Sequence, residues 1–145
     1  VGTSMLALLD QRLWGGVTLP SLVSPWRWES TLFATAAPLL VTASLLIVNG
    51  VVVPFAEEWL WRGRIQPWLA ATGGPLAGVL LSSILFSLKH AIVDASPARL
   101  LTLTAFGLVM GALAARKGWR ASALAHAAAN ILATTLALTV AGTEI

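Results

Sequence analysis

Charge is what this chain has least of. Of its 145 residues, 10% are Asp, Glu, Lys or Arg, against about 25% in an average soluble chain. Hydrophobic residues make up 57%, against about 45–50% on average. The few charges leave long gaps. None falls between Glu29 and Glu57, Arg64 and Lys89, Arg99 and Arg116, or Arg120 and Glu144. A helix crosses the hydrocarbon core with roughly 20 apolar residues; three gaps are long enough and the Arg99–Arg116 gap is a little short. Four buried helices of a soluble bundle would need polar outer faces, and these stretches lack the residues for them. The composition therefore predicts an all-α, polytopic transmembrane bundle. About four core membrane helices are expected, with an N-terminal interfacial or short membrane segment.

Other absences narrow the chemistry. There is no cysteine, which excludes disulfides, thiol catalysis and Cys-type zinc sites. No His-Glu-x-x-His helix is present for a zinc metalloprotease. The two aspartates, Asp10 and Asp94, lie outside the expected spans, which argues against an intramembrane aspartyl dyad. The net charge is +3, but the basic residues do not gather into a nucleic-acid patch. Arg116, Lys117 and Arg120 instead sit together between two apolar stretches, as membrane-flanking charges do.

Residues 1–30 read as the N-terminal interfacial or partial membrane segment, broken by Asp10, Arg12, Gly15-Gly16, Pro20 and Pro25. The chain opens on Val and has no basic stretch ahead of its apolar run, so a cleaved signal is not expected and a longer parent chain is. Trp26, Arg27, Trp28 and Glu29 read as a membrane edge, where indoles and charges collect. Residues 31–145 form the expected core. Its spans are 31–53, 76–92, 99–115 and 121–141. Asn49-Gly50 and Pro54 predict a kink or break after the first span, with a helix resuming to about Ala71. Turns are expected at 72–75 and 94–97. The basic turn at 116–119 is assigned to the cytoplasm.

An ionisable group inside a span costs on the order of 2.5–3.5 kcal/mol at the helix centre, so those that occur invite a functional reading. In Glu57-Glu58-Trp59-Leu60-Trp61-Arg62, Glu58 and Arg62 lie four apart with the acid first, the favourable order for an ion pair. Glu57 points about 100° away by helix geometry. That split assigns Glu58 to Arg62 and leaves Glu57 for a reacting group. Phe86 and His90 share a face, as do His126 and Asn130. A general base, two imidazoles and an amide donor are the parts of a hydrolytic site. A charged helix end, a structural His and interhelical hydrogen bonding explain each cluster taken singly. A Ser–His dyad using Ser82 or Ser122 stays open, without a Gly-flanked nucleophile to support it.

The order Glu57-Glu58-x-x-x-Arg62, Phe86-x-x-x-His90, His126-x-x-x-Asn130, with Gly63 after the arginine, resembles the CPBP family of intramembrane proteases, which holds CAAX proteases and bacteriocin-processing enzymes. The likeness covers roughly residues 45–135. Trp61 departs from the Phe expected before Arg-Gly, and little precedes the core. The resemblance implies an integral, multi-pass protein of the bacterial cytoplasmic membrane. It implies cleavage of a membrane-anchored protein or peptide near its membrane-proximal C-terminus, within the lipid bilayer and without nucleic acid. It also implies that Glu57 and His90 activate water, that His126 and Asn130 stabilise the oxyanion, and that Glu58 and Arg62 support them. No cofactor is favoured; zinc on Glu57, His90 and His126 is the other arrangement these residues allow. A non-catalytic scaffold or bacteriocin immunity factor and a small proton-coupled transporter are the alternatives from other classes. One geometric condition follows. If 76–92 and 121–141 were upright parallel spans starting at one face, His90 would lie roughly 15 Å deeper than His126. Tilt, stagger or re-entry must bring them level.

Overall fold

The computed structural model describes residues 2–19 and 38–142. Every element among them is helical. The Trp26–Glu29 membrane edge, Pro20, Pro25 and residues 31–37 of the expected first span lie outside the described residues. The elements are α1 (Gly2–Trp14), α2 (Pro38–Ile47), α3 (Val53–Leu60), α4 (Gln66–Val93), α5 (Leu100–Lys117) and α6 (Trp119–Gly142). Wider π-helical turns at Val48–Val52 and Trp61–Ile65 join α2 to α3 and α3 to α4.

The expected break near Asn49-Gly50 does not occur. The residues bounding the Val48–Val52 turn keep right-handed helical angles, and Pro54 sits at the start of α3. The wider turn just before it, where the Val53 N–H reaches back to the Val48 carbonyl, is where the helical ladder accommodates a residue with no N–H. The expected turn at 72–75 does occur. Gly74, at φ 85° and ψ 167°, folds α4 into two arms, a conformation that a Cβ strongly disfavours.

Packing registers show consecutive helices running antiparallel, with the first arm of α4 parallel to α5, since Arg62 reaches Gly107 and Gln66 reaches Gly111. Gln66 meets Ser82 across the α4 hairpin. Ser87 donates to the Leu100 carbonyl and Gln66 to the Gly111 carbonyl, pairing α4 with α5. Ser122 reaches the Met110 carbonyl from α6, and Asn130 reaches Asn49. Gly107 lets α5 approach closely: a Cβ there would stand 3.0 Å from Ser83 Cα.

The distribution of polarity is that of a membrane protein. The side chains shielded most completely include Glu58, Asp10, Ser82, Ser83, Ser87 and Ser122, while Leu76, Val109, Leu124 and Leu132 are more than 60% exposed. Lipid rewards apolar surface, and polar groups within its depth must satisfy one another inside the bundle. Two helical stretches among the described residues are long and apolar enough to cross: Val48–Val93, which contains the Gly74 fold, and Leu100–Lys117.

The depth condition is met by stagger. Phe106 of α5 stands beside both Phe86 and His126, with ring centroids 6.3 and 4.8 Å away. Phe86 and His126 are therefore level, although they lie at different distances from the starts of their helices. His90 follows one turn beyond Phe86, its ring 4.6 Å away.

Candidate active site

Two carboxylates leave α3 side by side in sequence and meet different partners. Glu58 is fully buried. Its Oε2 lies 3.3 Å from Arg62 Nε, so the pairing expected from their spacing is present. The same carboxylate accepts from Ser122 Oγ at 2.5 Å and from His126 Nδ1 at 3.0 Å. A buried charge is tolerable only when several groups stabilise it, and Glu58 has three. Arg62 also donates from Nη2 to the Gly107 carbonyl at 3.1 Å and stacks over Phe86 at 4.7 Å. This network ties α3, α5 and α6 together around a polar centre.

Glu57 faces the second cluster. Its Oε1 lies 3.6 Å from His90 Nε2 and 2.5 Å from Lys89 Nζ. The expectation that Glu57 is unpaired is corrected: Lys89 neutralises it. Position 89 gave no helical-face signal toward Glu57, because the two lie 32 residues apart on different helices. Lys89 Nζ is also 3.1 Å from His90 Nε2. An ammonium has only donors, so Nε2 accepts and the ring proton resides on Nδ1.

Glu57, His90, His126 and Asn130 all line one cavity of about 290 Å³, with Phe86, Phe106, Leu103, Ala129, Thr102 and Arg99 among its other walls. His126 is anchored with Nδ1–H toward Glu58, leaving Nε2 for the cavity. Asn130 donates from Nδ2 to the Asn49 carbonyl at 2.8 Å; an amide nitrogen carries two hydrogens, so one remains. The two serines left open for a dyad have other partners. Ser122 is committed to Glu58 and Met110, and Ser82 to Gln66 and Val79.

The set Glu57, His90 and His126 does not converge as metal ligands. Among the described residues no group of three or more His, Asp or Glu side chains has ligand spacing. Lys89 stands between Glu57 and His90, where a cation would bind, and Glu58 rather than Glu57 engages His126.

Residues 38–132 match the Rce1-like family of type II CAAX prenyl endopeptidases. The chain belongs to that family. No curated protein and no solved structure matches the chain. The Rce1-like family is one of membrane proteases acting on membrane-associated protein substrates, in keeping with the exposed apolar and buried polar side chains of this bundle. The matched region contains all seven motif residues, from Glu57 to Asn130.

Proposed function

We propose that this Rce1-like protein is an intramembrane endopeptidase that hydrolyses a peptide bond near the membrane-proximal C-terminus of a membrane-anchored protein or peptide. One observation carries the reading: Glu57, His90, His126 and Asn130, from three separate helices, line a single cavity whose other walls are largely apolar. In a bundle that buries so few charges, their convergence is costly unless it serves chemistry.

The Glu57 carboxylate, with lone pairs beyond the one given to Lys89, holds the water, and His90 Nε2 stands 3.6 Å from its Oε1. Glu57 takes a proton as the water oxygen attacks the carbonyl carbon. The carbonyl oxygen becomes an oxyanion. The remaining Asn130 amide hydrogen faces that charge, and His126 donates from Nε2 when its ring is doubly protonated. Each such donor is typically worth about 2.7–4 kcal/mol. Collapse of the intermediate breaks the C–N bond, and the proton held by Glu57 passes to the leaving amine. Glu58 acts on His126 through its ring orientation, and Arg62 and Ser122 hold Glu58. The step runs without a metal, since the cation beside the base is the chain's own Lys89.

The protein resides as a multi-pass protein in a bacterial cytoplasmic membrane. The test is incubation of purified protein with a panel of membrane-anchored C-terminal substrates, wild type against Glu57→Gln. Wild type yields the truncated product and the variant yields none. Equal cleavage by both removes Glu57 as the base.

A further inference from the structure

We propose that Lys89 is a positioning residue of this site: its ammonium clamps the base Glu57 to His90 and fixes the tautomer of that histidine, in the place a divalent cation would take. The inference rests on the assignment of Glu57 as the base.

Three contacts converge on one nitrogen. Lys89 Nζ is 2.5 Å from Glu57 Oε1, 3.1 Å from His90 Nε2 and 5.3 Å from the Phe86 ring centroid. Its aliphatic stem lies along a separate apolar groove with Trp61, Ile65, Leu85, Leu88 and Ile92. Nothing in that groove solvates a charge, so the ammonium turns inward to the carboxylate. An exposed Lys–Glu pair with one partner each would be ordinary surface decoration of little energetic weight. This one joins α3 to α4 and engages both Glu57 and His90, which line the cavity.

The consequence for the imidazole is specific. Because the ammonium can only donate, it holds Nε2 as an acceptor, and Nδ1 is left buried without a partner. No other side chain therefore sets the tautomer of His90. With Lys89 in place, the one lone pair of Nε2 accepts from the ammonium, and the Glu57 carboxylate keeps its other lone pairs for the water. Without it, the proton is free to move to Nε2, and the ring then donates to Glu57 and occupies a carboxylate lone pair the water needs. A single positive charge also lets Glu57 lie within a poorly solvated bundle without recruiting Arg62, which stays with Glu58.

The experiment compares wild type, Glu57→Gln, Lys89→Met, Lys89→Gln and Lys89→Arg in one cleavage assay, with each variant's melting recorded in detergent. Lys89→Met removes the charge and keeps the stem. Its kcat falls about tenfold or more while KM stays within about twofold, the split of an interaction used in the transition state rather than in substrate binding. Lys89→Arg returns a positive charge and recovers most of the loss, which a merely steric role would not do. Lys89→Gln repeats the test should the methionine variant not fold. Wild-type kcat in a folded neutral variant overturns the inference and leaves the base assignment standing. Failure of both neutral variants to fold makes Lys89 a folding residue and also overturns it. Cleavage by Glu57→Gln removes the base and the clamp together.

Discussion

Glu57 and Glu58 are neighbours in sequence with opposite dependencies. Glu58 is wholly enclosed and holds Arg62, Ser122 and His126. Glu57 is partly exposed, at 17%, and holds Lys89 and His90. Removing one partner of a buried pair leaves a stranded charge, at a cost of about 3–5 kcal/mol. Glu58→Gln is therefore expected to lower the detergent melting temperature clearly, and Glu57→Gln far less, while only Glu57→Gln leaves a folded but inactive protein. Equal melting of the two variants, with activity retained by Glu57→Gln, would reverse these roles. Ser122→Ala tests the same network more gently. It loses a hydrogen bond to a charged group, typically worth about 1.5–3 kcal/mol, and should fall between wild type and Glu58→Gln on the same melting scale.

At the scale of elements, the start of α5 depends on α1. Asp10 is fully buried, and its carboxylate accepts from the Leu101 and Thr102 amides at 2.9 and 2.8 Å and from the Thr102 hydroxyl at 2.7 Å. It caps a helix far away in the chain, satisfying first-turn donors and opposing the helix dipole. Thr102 is also a wall of the cavity. Loss of a cap costs about 1–2 kcal/mol, so Asp10→Ala is expected to lower melting by that order and to reduce cleavage, with faster amide exchange confined to the first turn of α5. Unchanged exchange there would show that α1 does not hold α5. The sequence offered no sign of this job, because a lone Asp in a broken apolar stretch pairs with nothing nearby. The motif spacings were legible for the opposite reason: Glu58 to Arg62, Phe86 to His90 and His126 to Asn130 each lie one helical turn apart.

For the molecule as a whole, the bundle is reversed relative to a soluble protein, with serines, Glu58, Arg62 and Gln66 inside and leucines outside. The absence of cysteine makes topology easy to measure. Single cysteines at Ala95, in the turn before α5, and at Lys117, its last residue, mark opposite ends of that helix. In intact cells a membrane-impermeant thiol reagent should label Ala95→Cys and spare Lys117→Cys, since the positive-inside tendency assigns Arg116 and Lys117 to the cytoplasm. Labelling of Lys117→Cys alone would invert the assignment, and labelling of both would deny that α5 spans. Metal dependence also belongs to this scale. With Lys89 between Glu57 and His90, protein stripped by a strong chelator, its metal content checked by elemental analysis, should cleave as before. Activity lost on stripping and restored by stoichiometric zinc would sink the metal-free mechanism.

The sequence by itself determined that the chain is helical, belongs in a membrane and carries three one-turn polar motifs. Those properties depend on composition and on the 3.6-residue repeat, both local quantities. Only the tertiary structure decided who meets whom. It gave Lys89 to Glu57, His126 and Ser122 to Glu58, Asn130 to the Asn49 carbonyl and Asp10 to the start of α5. Each of these contacts joins residues 32 or more positions apart. Such pairings follow from helix register and stagger, which the Gly74 reversal and the close approach at Gly107 fix, and no periodicity along one helix encodes them.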